Sequence, residues 1–225
     1  IAHRRRPLWI GALIALVAGL ALATAPLWQR NDTKVVTIGA KNFSEQYILA
    51  RLIGDRLTRA GYSVRYRDGL GSAVVYGALA GNDVDVYVDY AGTLWNGQMH
   101  RSDVPDRRAM VAAIGRWAEA NSGVRLVGPL GFENAYAFAM RGADAKARGI
   151  SSLTDLVAAA PALKLGSDLE FLERPEWAAV RRAYPLRFAA AKSYAPTFMY
   201  RALASGEADV ISAFSSDGRI AADGL

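Results

Sequence analysis

Between Val35 and Tyr90 the apolar residues keep changing their period, and that alternation is what most narrows the folds open to this chain. Val35-Val36-Thr37-Ile38-Gly39-Ala40 is a short apolar run rich in β-branched residues, as in a buried strand. The polar turn Lys41-Asn42-Phe43-Ser44-Glu45-Gln46 follows, with Ser44 as the expected N-cap. Ile48, Leu49, Leu52, Ile53 and Leu57 then recur at helical spacing as the expected apolar face of a helix. Residues 63–67 alternate as a second strand, and residues 73–80 make a short helix. In residues 83–90, Val84, Val86 and Val88 alternate with Asp85, Tyr87 and Asp89, which predicts a third strand. Strand, helix, strand, helix, strand is the order of an α/β fold with a mostly parallel sheet.

The second half repeats the plan. A helix is expected over 106–120, and a strand over 125–131 whose Gly128-Pro129-Leu130-Gly131 suits a hinge between two lobes. Beyond it come strands at 135–141, 164–167 and 208–215, and helices at 151–159, 175–184 and 197–205, the first of these capped by Ser151 or Ser152. The expected organisation is a leader and linker at 1–33, a first lobe at 34–129 and a second at 130–225. A closing element for the second lobe is expected beyond Leu225.

Residues 8–28 form a run of 21 residues without a formal charge, preceded by Arg4, Arg5 and Arg6. That is near the roughly 20 residues that span a bilayer, and the arginines argue that its start stays cytoplasmic. It reads as a retained transmembrane anchor or a signal helix, with everything after it on the extracytoplasmic side. Because the chain opens on Ile1, residues are expected upstream, for example a permease fused to this segment. The net charge of +6 falls to +3 for residues 34–225, so no basic patch for nucleic acid is implied. Cysteine is absent, which excludes disulfides, thiol catalysis and cysteine metal sites.

Catalysis has no evident cast. The two histidines are His3, in the leader, and His100, so neither a histidine metal pair nor a His-based triad can be assembled. Asp83, Asp85 and Asp89 share one side of the expected strand, a weak pattern for a divalent metal. Binding reads better. Tyr90 ends a strand where open α/β sheets place their ligands, and Gly92-Thr93 opens the next segment. An aromatic there faces a cation, and a hydroxyl three residues on suits an anion. Asn134 and Tyr136 open the first strand after the hinge, and Phe214 lies near the end of the last. Lys41, Thr93 and Arg174 could supply donors to a carboxylate. The plain alternatives are an ordinary strand-end aromatic for Tyr90, solvated loop charges for Lys41 and Arg174, and core aromatics for Tyr136 and Phe214.

At these residues the sequence resembles the substrate-binding proteins of osmoprotectant ABC transporters, which capture glycine betaine, choline, carnitine and related quaternary amines. The resemblance runs through I-G-A-K-N-F-S-E-Q at 38–46, V-D-Y-A-G-T at 88–93, E-N-A-Y at 133–136, E-F-L-E-R at 170–174 and A-L-A-S-G-E-A-D-V-I-S-A-F-S-S-D-G-R-I at 202–220. It implies a two-lobed periplasmic-binding-protein fold, type II-like, that closes on ligand by a hinge and performs no chemistry. It implies Tyr90 and Tyr136 as walls of an aromatic cage and the Asn134 carbonyl as a contact for ammonium methyls. Lys41, Thr93 and Arg174 stand as a carboxylate clamp that favours a betaine over choline. Phe214 sits where a cage tyrosine is common and keeps the ring without the hydroxyl. The expected partners are a quaternary amine, a permease and its ATPase, and the membrane through the leader, with no cofactor and no nucleic acid. The alternative is a membrane-tethered sensory domain of the same fold.

Overall fold

The computed structural model describes residues 34–225. The expected leader helix at 8–28 lies outside the described residues. Among the described residues no helix is long and apolar enough to cross a membrane. Val35–Leu225 form one compact unit built on two separate sheets.

The first sheet pairs β1 (Val35–Lys41) with β2 (Ser63–Leu70) in parallel, from Val35 opposite Ser63 to Lys41 opposite Leu70, with an irregularity after Gly39. Helix α1 (Ser44–Arg59) makes the crossover between them. Its N-cap is Phe43 and not Ser44, which is the first helical residue. Of the expected apolar face, Ile53 and Leu57 pack against the Ile38–Ala40–Ala50 cluster, but the most buried positions are others. Gln46, Ala50 and Gly54 are buried, whereas Ile48 and Leu52 are about 60% exposed. Small residues let the helix approach the sheet closely, and a Cβ at Gly54 would lie 2.0 Å from the Tyr66 hydroxyl. Helix α2 (Ser72–Ala80) follows β2.

Residues 83–90 are extended but do not form the expected third strand. They join β1 through a single parallel bridge, Val86 to Ile38, with Gly39 N–H donating to the Val86 carbonyl at 2.9 Å. The ladder extends no further because side chains take the flanking β1 donors: Asp85 accepts from Thr37 N–H at 2.7 Å and Gln46 from Lys41 N–H at 3.4 Å. The segment still docks beside β1, with Val84 buried. A short turn of helix, α3 (Ala91–Thr93), runs into one wider π-type turn, Leu94–Gln98. Helix α4 (Arg107–Ser122) is capped by Asp106, which accepts from Arg108 and Ala109 N–H.

The chain then crosses to the second sheet in an extended segment. The strand expected at 125–131 does not form, because this segment pairs with no neighbour among the described residues, and Gly131 takes a left-handed φ of +85°. The second sheet has the order β3-β6-β4-β5, from β3 (Tyr136–Ala139), β4 (Lys164–Ser167), β5 (Ala190–Ser193) and β6 (Val210–Phe214). β3 runs antiparallel to β6, and the other two pairings are parallel. Helices α5 (Gly142–Arg148) and α6 (Leu153–Ala159) connect β3 to β4, and α7 (Leu169–Glu173) and α8 (Pro175–Ala183) connect β4 to β5. Ser152 and Asp155 form a reciprocal capping box on α6. Helix α9 (Pro196–Ser205) packs Met199, Ala202 and Leu203 against the fully buried β6, and α10 (Arg219–Ala222) follows.

Candidate functional site

Lys41 ends β1 with only 2% of its surface exposed, and a buried ammonium needs a partner. Asp89 supplies it through a direct ion pair. The same carboxylate accepts from the Tyr87 hydroxyl at 2.5 Å and pins the Tyr90 backbone N–H. Tyr90 therefore leaves the extended segment on a fixed frame, with the Lys41 ammonium 5.0 Å from its ring centroid. Its hydroxyl donates to Glu45 and accepts from the buried Gln46 amide at 3.1 Å. Burial, then the bond to Glu45, pushes the Tyr90 phenol well above its ordinary pKa.

The opposite wall comes from the second sheet. Tyr136 at the start of β3 and Phe214 at the end of β6 face each other in register, their rings 5.2 Å apart. Phe43 stacks on Phe214 at 4.6 Å and lies 6.0 Å from Tyr90. Tyr136 in turn lies 4.7 Å from Phe171. The rings of Tyr90, Phe43, Phe214, Tyr136 and Phe171 thus run unbroken from one half of the unit to the other. Beneath them the Tyr136 hydroxyl donates to Asp168 at 3.4 Å, a carboxylate 5% exposed. Asp168 caps α7 by accepting from Phe171 N–H at 2.9 Å, and burial raises its pKa above the ordinary value.

Arg174 sits between α7 and α8, its guanidinium carbon 5.6 Å from the Tyr136 ring centroid. It donates to the Thr93 hydroxyl at 3.4 Å across the two halves. Glu176 at 2.7 Å and Glu170 at 3.2 Å hold the same guanidinium. Asn134 donates from its side chain to Glu45 at 3.5 Å.

All seven residues singled out from the sequence, Lys41, Tyr90, Thr93, Asn134, Tyr136, Arg174 and Phe214, line one cleft of about 1780 Å³. Neither Lys41 nor Arg174 is a solvated loop charge, since the Arg174 side chain is 12% exposed. Phe214 is both a core residue and part of the cleft wall. Lys41 reaches the wall with its charge matched by Asp89. Asp83, Asp85 and Asp89 go to different partners, and among the described residues no cluster of three or more His, Asp or Glu could hold a metal ion.

Phe43, Glu45 and Asp168 join the site without being marked by the sequence pattern. Phe43 looked like part of a polar turn, yet its place two residues after the end of β1 is the signal that could have found it. Glu45 and Asp168 carry no such signal, because their role lies in which hydroxyl the fold brings to them.

Residues 34–225 match the family described as the substrate binding domain of ABC-type glycine betaine transport system. The ergothioneine transport permease/ergothioneine binding protein EgtU of Helicobacter pylori is 26% identical over 214 residues, covering 92% of this chain and 38% of that protein. The glycine-betaine-binding protein of Pseudomonas aeruginosa is 32% identical over 143 residues, covering 63% of this chain and 46% of the relative. The chain therefore spans less than half the length of these two relatives. A solved glycine betaine/carnitine/choline ABC transporter structure superposes with a TM-score of 0.61 at 26% identity, over 85% of this chain and 72% of that one. By that description the family comprises substrate-binding domains of transport systems and not enzymes. The chain belongs to this family of substrate-binding domains of ABC-type glycine betaine transport systems.

Proposed function

We propose that the cleft captures a betaine, a small zwitterion with a quaternary ammonium and a carboxylate, and that this domain hands it to a permease driven by an ATPase. The observation that carries this reading is the unbroken run of rings across the cleft with the Arg174–Thr93 pair beside it. A quaternary ammonium donates no hydrogen bond, so ring faces are its natural partners, at about 0.5–2 kcal/mol per well-placed ring. Tyr90, Tyr136 and Phe214 would face it, with the Asn134 carbonyl against the methyl groups. A carboxylate at the other end would take Thr93 and Arg174, whose planar fork suits paired bonds. Lys41, a clamp residue by the family resemblance, lines the same cleft but is ion-paired with Asp89, so its charge counts towards neither end of the ligand. Residues 34–129 and 130–225 would act as lobes closing over the ligand.

We also infer that residues 8–28 tether the domain to the membrane, downstream of a fused permease. The relative covering 92% of this chain carries both a permease and a binding protein in its name. That coverage is more than Val35–Leu225 alone can supply, so the similarity extends into the apolar leader.

Calorimetric titration of the folded, detergent-solubilised chain with glycine betaine, carnitine, proline betaine and choline tests the reading. Heat of binding is expected with at least one betaine. Arg174→Ala should weaken that betaine about tenfold or more, as for loss of a hydrogen bond to a charged group, and spare choline. No heat with any of the four would sink it.

A further inference from the structure

Glu45 stands on the first turn of α1 and off the cleft wall. Its carboxylate gathers groups from both halves of the unit. From its own half it accepts the Tyr90 hydroxyl. From the other half it accepts the Asn134 side-chain amide at 3.5 Å and the Ser216 hydroxyl, which lies just beyond β6. Asn134 in turn accepts from Ser216 N–H at 3.5 Å, closing the ring of contacts. One residue earlier, the Ser44 hydroxyl accepts from Arg219 of α10 at 3.3 Å, and Asp217 holds that guanidinium. The start of α1 is thus tied to the β6–α10 connection beside the cleft.

We propose that Glu45 is a positioning residue that couples closure of the two halves to the orientation of the Tyr90 ring. A carboxylate has two oxygens and room for several donors, so it can serve both sides of a cleft at once. When the halves part, Ser216 and Asn134 leave Glu45, and of its three side-chain bonds only the one to Tyr90 remains. When they meet, the shared acceptor fixes the ring at the angle it presents to the cleft. The ring of a phenol that donates to a carboxylate also carries more electron density, which favours a cation on its face. This inference rests on the reading of the cleft as a quaternary-ammonium site only for its effect on affinity; the coupling of the halves stands apart from it.

The absence of cysteine makes a ligand-free test direct. Spin labels on Thr58→Cys in α1 and Lys146→Cys in α5, both exposed positions, report the separation of the halves in the full chain. Glu45→Ala should shift the distance distribution to longer or broader values, and Glu45→Gln, which keeps an acceptor, should stay near the parent. An unchanged distribution in Glu45→Ala, with the fold intact by circular dichroism, overturns the proposal whether or not glycine betaine binds. Where glycine betaine binds, Glu45→Ala should weaken it about fivefold or more, and Tyr90→Phe added to it should cost little further, as for coupled neighbours. Fully additive losses would also overturn it. A parent chain that binds no betaine contradicts the functional reading alone, and the distance measurement still decides the latch.

Discussion

Tyr90 serves two sides at once: its face borders the cleft and its hydroxyl is held by Glu45 and Gln46. The two roles separate by substitution. Tyr90→Ala should weaken betaine binding by about 1 kcal/mol or more beyond any loss in Tyr90→Phe, because only it removes the ring. Tyr90→Phe keeps the ring, but strands the Gln46 amide, 1% exposed, and should cost about 1–3 kcal/mol of stability in urea unfolding. Equal binding losses in the two variants would deny the ring its role. Asp168 gives a pH signature. Its folded pKa is raised by burial, so the folded state holds the proton more tightly than the unfolded one. That component of stability is full below the ordinary carboxylate value of about 3.9 and falls as pH climbs through the raised folded value. Asp168→Asn should remove this downward step from the unfolding free energy measured against pH, and an unaltered profile would contradict the assignment. Tyr90, Thr93, Tyr136 and Arg174 stand out in the sequence as candidates and the fold brings them to one cleft, because turn residues and the ends of apolar runs mark where a sheet presents side chains. Phe43 and Glu45 do not stand out, since a polar-looking turn conceals which of its members fold back onto the cleft.

At the scale of elements, the site depends on how tightly residues 83–90 pack on β1. Gly39 is the point of closest approach: a Cβ there would meet Val75 and Val84 at 3.0 Å and Tyr87 at 3.3 Å. Gly39→Val should therefore cost about 1–3 kcal/mol of stability by overpacking. It should also weaken ligand binding by displacing the segment that carries Tyr90. Retention of both in unfolding and titration experiments would show that the segment is not held there. Most helices and strands follow the sequence periodicity, because apolar spacing and caps such as Asp106 and Ser152 are local signals. The misread segments share one cause. Residues 83–90 and 125–131 have strand-like composition, but a strand needs a partner for its backbone. The side chains of Asp85 and Gln46 take the β1 donors on either side of the one bridge in the first, and the second meets no partner among the described residues. The exposed Ile48 and Leu52 show the converse, where Ala50 and Gly54 take the buried face because the sheet comes too close for larger residues.

The whole molecule brings together what no single segment contains. Tyr90 and Phe43 come from the half built on β1 and β2, and Phe214 and Tyr136 from the half built on β3 and β6, yet their rings form one run. Contacts also cross at the far side of the cleft, from Ser72 to Glu170 at 2.8 Å and from Thr93 to Arg174. Arrangement across halves follows from topology, so the sequence could name candidates but not show that they meet. On the proposed reading this composite cleft holds the ammonium on its rings and the carboxylate on Arg174. A crystal structure of the complex with glycine betaine tests it most directly. The ammonium is expected within about 6 Å of the Tyr90 and Tyr136 ring centroids, and the carboxylate bonded to Arg174 and Thr93. A ligand bound away from these rings, or reversed so that the carboxylate lies against them, would contradict it.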